Sequence, residues 1–101
     1  MKIDLDLPGS ELVVRGLLDL EAGQSSITAL LVAIGAPRLR GLGVDVPSGP
    51  KFVDGPELEL YRLLWSEDPD RAHSRYNALI RELVSFERAL EHRIRRRADQ
   101  S

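Results

Sequence analysis

Residues 69–97 read PDRAHSRYNALIRELVSFERALEHRIRRR, and no glycine or proline follows Pro69 within them. The apolar side chains in this stretch recur in steps of four and three residues, at Ala72, Tyr76, Leu79, Leu83, Phe86 and Leu90. That spacing predicts one long helix with a single apolar face. Asp68 suits the N-cap, and Pro69 suits the first helical position, where a missing N–H costs nothing.

The length of this helix suggests that it needs a partner. At a rise of about 1.5 Å per residue the helix is roughly 43 Å long. A compact chain of about 100 residues has a radius of gyration of about 13 Å, so its body is only about 30 Å across. The C-terminal third is therefore expected to extend past its own domain. We predict self-association, as a two-fold homodimer, through an apolar seam of Leu83, Phe86, Leu90 and Ile94.

Two shorter helices are expected in the first forty residues. Ser10 caps the first, and Gly23 marks its C-terminal end. Ser25 or Ser26 then caps a second helix that is apolar on almost every side, which is typical of a buried central element. We therefore predict that Leu30 and Leu31 belong to the core. Pro37 is expected to end or kink this helix.

A third helix is expected to begin at Asp54, where an acidic cap is followed three residues later by Glu57. It ends before Pro69, and so short a turn makes it an antiparallel neighbour of the long helix. Trp65 lies beside this turn, four residues after Tyr61. We predict that Trp65 is buried between the third and fourth helices.

The remaining segments have different patterns. Ile3, Leu5 and Leu7 alternate with Asp4 and Asp6, which predicts either a short strand or an extended arm over residues 1–9, and Val44 and Val46 also alternate with a polar residue. Glycine and proline recur through 41–56, which predicts a long loop. The fold class is mostly α: one domain, a small bundle of about four helices, with a helical body over 10–67 and the long helix over 68–98.

Composition limits the functional classes. The chain has 101 residues, 43% hydrophobic and 30% charged, which is typical of a soluble globular domain. It has no cysteine, which excludes disulfides and thiolate chemistry. The N-terminus does not resemble a signal peptide, and no apolar run could cross a bilayer. We expect a cytoplasmic protein with no membrane partner.

Charge is divided unevenly along the chain. Residues 1–70 carry six basic and twelve acidic groups, a balance of −6, whereas residues 71–101 carry eight basic and four acidic groups, a balance of +4. The basic residues cluster at the end of the long helix, as Arg93, Arg95, Arg96 and Arg97. The helix dipole favours cations there but accounts for only one or two of them. The cluster either only faces solvent or contacts a partner, and an acidic protein surface is favoured over nucleic acid as that partner.

Motifs for catalysis are weak in this sequence. Asp70 and His73 have the spacing of a metal-binding pair, but the pair occurs once. Arg88 and His92 share a helix face, which we interpret as solvated surface. We assign no catalytic residue, metal ligand or cofactor. The favoured function is a small non-enzymatic interaction or regulatory protein that self-associates. The alternatives are a nucleic-acid-binding accessory protein, or a small enzyme whose site is shared between subunits around Asp70, His73 and the 41–56 loop.

Overall fold

The fold is a small bundle of four helices, as predicted. The computed structural model describes residues 5–100, with side chains up to residue 99. Helix α1 spans Ser10–Glu21, α2 spans Ile27–Gly41, α3 spans Pro56–Glu67 and α4 spans Ala72–Gln100, with a 3₁₀ turn at Pro69–Arg71 before α4. No strand occurs in the described part of the chain: residues 5–9 form turns, and Val44 and Val46 lie in irregular backbone. Residues 1–4 of the predicted strand or arm lie outside the described range.

Helices α1 and α2 form an antiparallel pair with a very close contact. Ser26 caps α2 as expected, since its Oγ accepts a hydrogen bond from the Ala29 N–H and also bonds Asp19 of α1. Gly16 lies where the two helices are closest: a Cβ at this position would lie 2.3 Å from the Thr28 carbonyl oxygen and 2.4 Å from a Val32 methyl carbon. Only glycine fits between these backbones.

Helix α2 is the central element. It contacts all three other helices, and Leu30 and Leu31 are fully buried, which confirms both as core residues. The expectation that Pro37 ends or kinks the helix is wrong on the first count, because α2 continues to Gly41. Pro37 lacks an N–H, so the Ala33 carbonyl loses one helical hydrogen bond. The buried residues on either side of Pro37 (Ala36 and Leu39) keep the helix packed against its neighbours.

The loop between α2 and α3 packs against the bundle rather than extending into solvent. Val44 and Val46 are buried, and Arg40 donates a hydrogen bond to the Val46 carbonyl at 2.9 Å. The loop ends at Gly55, which is the N-cap of α3 and makes no side-chain cap. The predicted capping role of Asp54 is therefore wrong: its carboxylate instead accepts a hydrogen bond from Arg62 at 2.7 Å.

Helices α3 and α4 form the expected antiparallel hairpin. The rings of Tyr61 and Tyr76 meet edge to face, with centroids 6.0 Å apart. Burial raises the pKa of Tyr76, and the Glu57 carboxylate raises it further. Asp68 is the N-cap of the 3₁₀ turn and Pro69 follows it, as predicted, although the Asp68 side chain forms no cap hydrogen bond.

The molecule is not spherical, as the predicted overhang of the long helix assumed. The molecule measures 48 × 26 × 19 Å, so it is elongated. Leu83, Phe86 and Leu90 are buried in the chain's own core, between 0% and 5% exposed. We predicted that the C-terminal third of the long helix is not packed against its own chain. This prediction is wrong for the part of the helix up to Leu90. Only Ile94, 36% exposed, continues the apolar stripe beyond this cover.

Candidate interaction surfaces

Helix α3 presents two large apolar side chains to solvent. Leu58 and Trp65 are 45% and 55% exposed, and their spacing of seven residues places them on one face. Tyr61 and Arg62 lie between them, and we call these four residues the α3 strip. The prediction that Trp65 is buried is wrong. The buried positions of α3 are Leu60 and Leu64. Trp65 follows Leu64 directly, so its side chain is rotated by about 100° around the helix axis, away from the buried face.

The predicted seam on α4 is largely occupied by the chain itself. A Cβ at Gly35 of α2 would lie 3.0 Å from both Leu83 methyl carbons, and one at Gly9 would lie 3.3 Å from the Phe86 Cβ. Both glycines thus let another segment approach α4 closely. Burial of Leu83, Phe86 and Leu90 therefore needs no second subunit. Self-association itself remains a prediction, and any surface that serves it must use other residues.

The arginine cluster is partly engaged within the chain. Arg93 forms a two-pronged ion pair with Asp6, at 3.0 and 3.1 Å, which joins the N-terminal segment to the end of α4. The hydrogen bond from Arg93 is the main cause that lowers the pKa of Asp6. Arg95 pairs with Glu91 one turn earlier at 3.1 Å but keeps 75% of its side chain exposed. Arg96 and Arg97 are exposed.

A carboxylate lies buried where α2 meets α4. Glu87 is only 6% exposed, and its nearest cationic group is the Arg38 Nε at 3.9 Å. Arg38 makes its shorter contact, 2.7 Å, with Glu91. Desolvation raises the pKa of Glu87, and Arg38 only partly opposes this shift. Sequence reasoning did not identify this group because its burial depends on Gly35 and Arg38, which are about fifty residues away.

The solvent face of α4 carries a row of basic side chains that sequence reasoning also missed. Arg81, Arg88, His92 and Arg95 are all exposed, and they follow one another in steps of seven, four and three residues. Such steps keep side chains on one helix face. Arg96 is exposed beside Arg95. We call these five residues the α4 basic stripe. The spacing of these residues is visible in the sequence, but it overlaps the denser group of arginines at 93–97.

The enzyme alternative relied on Asp70 in the 3₁₀ turn and His73 in the first turn of α4. Asp70 and His73 are both exposed, and the His73 ring lies 3.2 Å from the Asn77 amide. Within the described residues, no group of three histidine or acidic side chains is placed to hold a metal ion. A shallow depression of about 540 Å³ is lined by Leu5, by side chains of α1 and by Thr28 of α2. Leu18, 62% exposed, is among the residues that line it.

Comparisons with known proteins add no family to this picture. No family model, no curated protein and no solved structure matches the chain. Among residues 5–100, no helix has the length and apolar character needed to cross a bilayer.

Proposed function

We propose that this protein is a small non-enzymatic interaction module that forms a homodimer through the α3 strip. The observation that carries the proposal is the exposure of Trp65 and Leu58 on one helix face. Tryptophan is enriched among the residues that dominate binding energy, and clustered exposed apolar side chains mark contact surfaces. A cytoplasmic location remains a prediction.

The order of side chains in the α3 strip supports a second copy as the occupant. If two α3 helices pack antiparallel about a two-fold axis between Tyr61 and Arg62, each Leu58 faces the other Trp65. Each Tyr61 then faces the other Arg62, which suits a cation–π contact. A two-fold interface requires such self-complementarity, since every contact occurs twice. The pairing buries the large apolar side chains at its two ends and leaves the α4 basic stripe outside.

Light scattering and tryptophan emission test this proposal. The wild-type mass at about 100 µM should be twice the 11.3 kDa of the chain. Trp65, the single tryptophan, should emit at longer wavelength on dilution, because the monomer exposes it. Trp65→Ser should give a monomer, whereas Leu18→Ser, which removes an apolar side chain of similar exposure from α1, should leave the dimer intact. A wild-type mass of 11.3 kDa at that concentration refutes the proposal.

A further inference from the structure

The α4 basic stripe is a straight row of basic side chains on the longest helix. Arg81, Arg88 and Arg95 repeat every seven residues, which corresponds to about 10.5 Å per step and about 21 Å in all. His92 and Arg96 add two further basic groups in the last third of this row. The first seventy residues carry a balance of −6, so the stripe is the basic face of an otherwise acidic molecule.

The stripe is only lightly neutralised by the chain. Arg95 has the i, i+4 pair with Glu91, which Arg38 shares from the other side. Within residues 5–100, neither Arg81 nor Arg88 lies within ion-pair distance of a carboxylate. Glu82 and Asp99 are the other exposed acidic groups on this helix. An arginine without a local partner retains its donors for a ligand.

The α4 basic stripe contains no large apolar side chain, which favours a phosphate backbone over a protein surface as its partner. Protein interfaces are built around buried aromatic or aliphatic side chains, and charges mainly tune their rate and orientation. Among the described residues, most exposed large apolar side chains lie outside α4, in the N-terminal segment, on α1, on α3 and in the loop between α2 and α3. On α4 the exposed large apolar side chain is Ile94. Phosphate binding, by contrast, needs only a track of cations.

We propose that the α4 basic stripe binds the phosphodiester backbone of a nucleic acid without sequence preference. Arg81, Arg88 and Arg95 each contact phosphate, and Arg96 adds a contact at the helix end. This inference goes beyond homodimer formation and does not depend on it. Three or four phosphate contacts predict that log K falls linearly with log salt concentration, with a slope between about −2 and −4.

Fluorescence anisotropy with two labelled probes tests the proposal: a 20-nucleotide single-stranded DNA and a 20-base-pair duplex, each between 50 and 200 mM salt. The wild type should bind both with micromolar affinity at the lowest salt. The triple variant Arg81→Gln, Arg88→Gln, Arg95→Gln should lose about tenfold or more in affinity, with a flatter salt slope. The control Arg15→Gln, Lys51→Gln, Arg71→Gln removes the same charge from exposed positions on other surfaces, and its affinity should stay within about twofold.

Any of three outcomes overturns the assignment. The first is no binding of either probe by the wild type at 50 mM salt, and the second is an equal loss of affinity in the stripe variant and its control. The third is binding of polyglutamate through the same arginines with no binding of DNA, which identifies the partner as an acidic protein. Circular dichroism and melting temperature establish that both triple variants are folded, which is expected because all six side chains are exposed.

Discussion

The burial and the pKa of Glu87 depend on residues that are distant in the sequence. The sequence places it on α4 among other charges, where a solvated position is the ordinary expectation. Gly35 leaves space for its carboxylate, and Arg38 approaches it only to 3.9 Å. A buried carboxylate with so distant a partner is destabilising when ionised. Its raised pKa expresses the same cost.

This environment predicts how Glu87 affects stability with pH. Because its pKa in the folded protein lies above the ordinary value of 4.5, the folded state holds the proton more tightly than the unfolded state. The stabilising contribution is complete below about pH 4.5 and is lost as pH rises through the raised pKa. Glu87→Gln should therefore increase the free energy of unfolding at pH 7 by about 1 kcal/mol, with a smaller difference near pH 4.5.

Urea denaturation at several pH values measures this effect. Glu82→Gln is the matched control, since Glu82 is an exposed glutamate on the same helix. It should follow the wild-type pH dependence closely. A Glu87→Gln variant that is less stable than the wild type at pH 7 contradicts the assignment and implies that the contact with Arg38 outweighs desolvation.

At the scale of elements, the approach of α1 to α2 depends on Gly16. Gly16→Ala should lower the free energy of unfolding by about 2 kcal/mol, because the added methyl group meets the Thr28 backbone, which cannot move without separating the helices. The better helix propensity of alanine offsets only about 1 kcal/mol of the clash. For a domain of this size, such a loss lowers the melting temperature by roughly 8–16 °C.

Gly41 is the control for this substitution. It is the last residue of α2, and a Cβ there meets nothing within 4 Å. Gly41→Ala should leave the melting temperature unchanged or slightly higher. Equal melting temperatures for the two variants, measured by calorimetry, would show that α1 and α2 are further apart than described.

At the scale of the whole molecule, the Asp6–Arg93 pair joins two segments that are 87 residues apart. Beside it, Leu7 is buried and Gly9 lies against the Glu82 carbonyl, so the N-terminal segment is attached along α4 by both charge and packing. Exposed ion pairs contribute little to global stability. They can still decide whether a terminal segment opens locally.

Arg93→Ala should therefore increase amide hydrogen exchange at Leu7, Gly9 and Ser10 while the melting temperature changes little. The Ser10 amide, which donates to the Leu7 carbonyl, reports this opening directly. Arg96→Ala removes an exposed cation from the same helix end and leaves the Asp6 pair in place, so exchange at the Ser10 amide should match that of the wild type. Unchanged exchange in Arg93→Ala means that packing alone holds the segment.

Local sequence signals identified the four helices and showed which of them is central, but they misplaced some helix ends. Gly9, not the predicted Ser10, is the N-cap of α1, and α2 continues past Pro37 to Gly41. Apolar steps of three and four residues, glycine after α1 and Ser26 before α2 are local signals, and each produced the expected element. Leu30 and Leu31 were identifiable as core because α2 has almost no polar face. The α4 basic stripe was also readable, since it depends only on spacing along one helix.

Tertiary contacts determine which apolar face each neighbouring segment covers. Periodicity defines a face relative to the axis of its own helix, but not the segment that packs on it. Trp65 therefore faces solvent although its helix packs on α4, while Leu83, Phe86 and Leu90 are covered from within the chain. The pairing of Arg93 with Asp6 and the burial of Glu87 have the same origin. Both depend on contacts between residues about fifty or more positions apart, which no local pattern encodes.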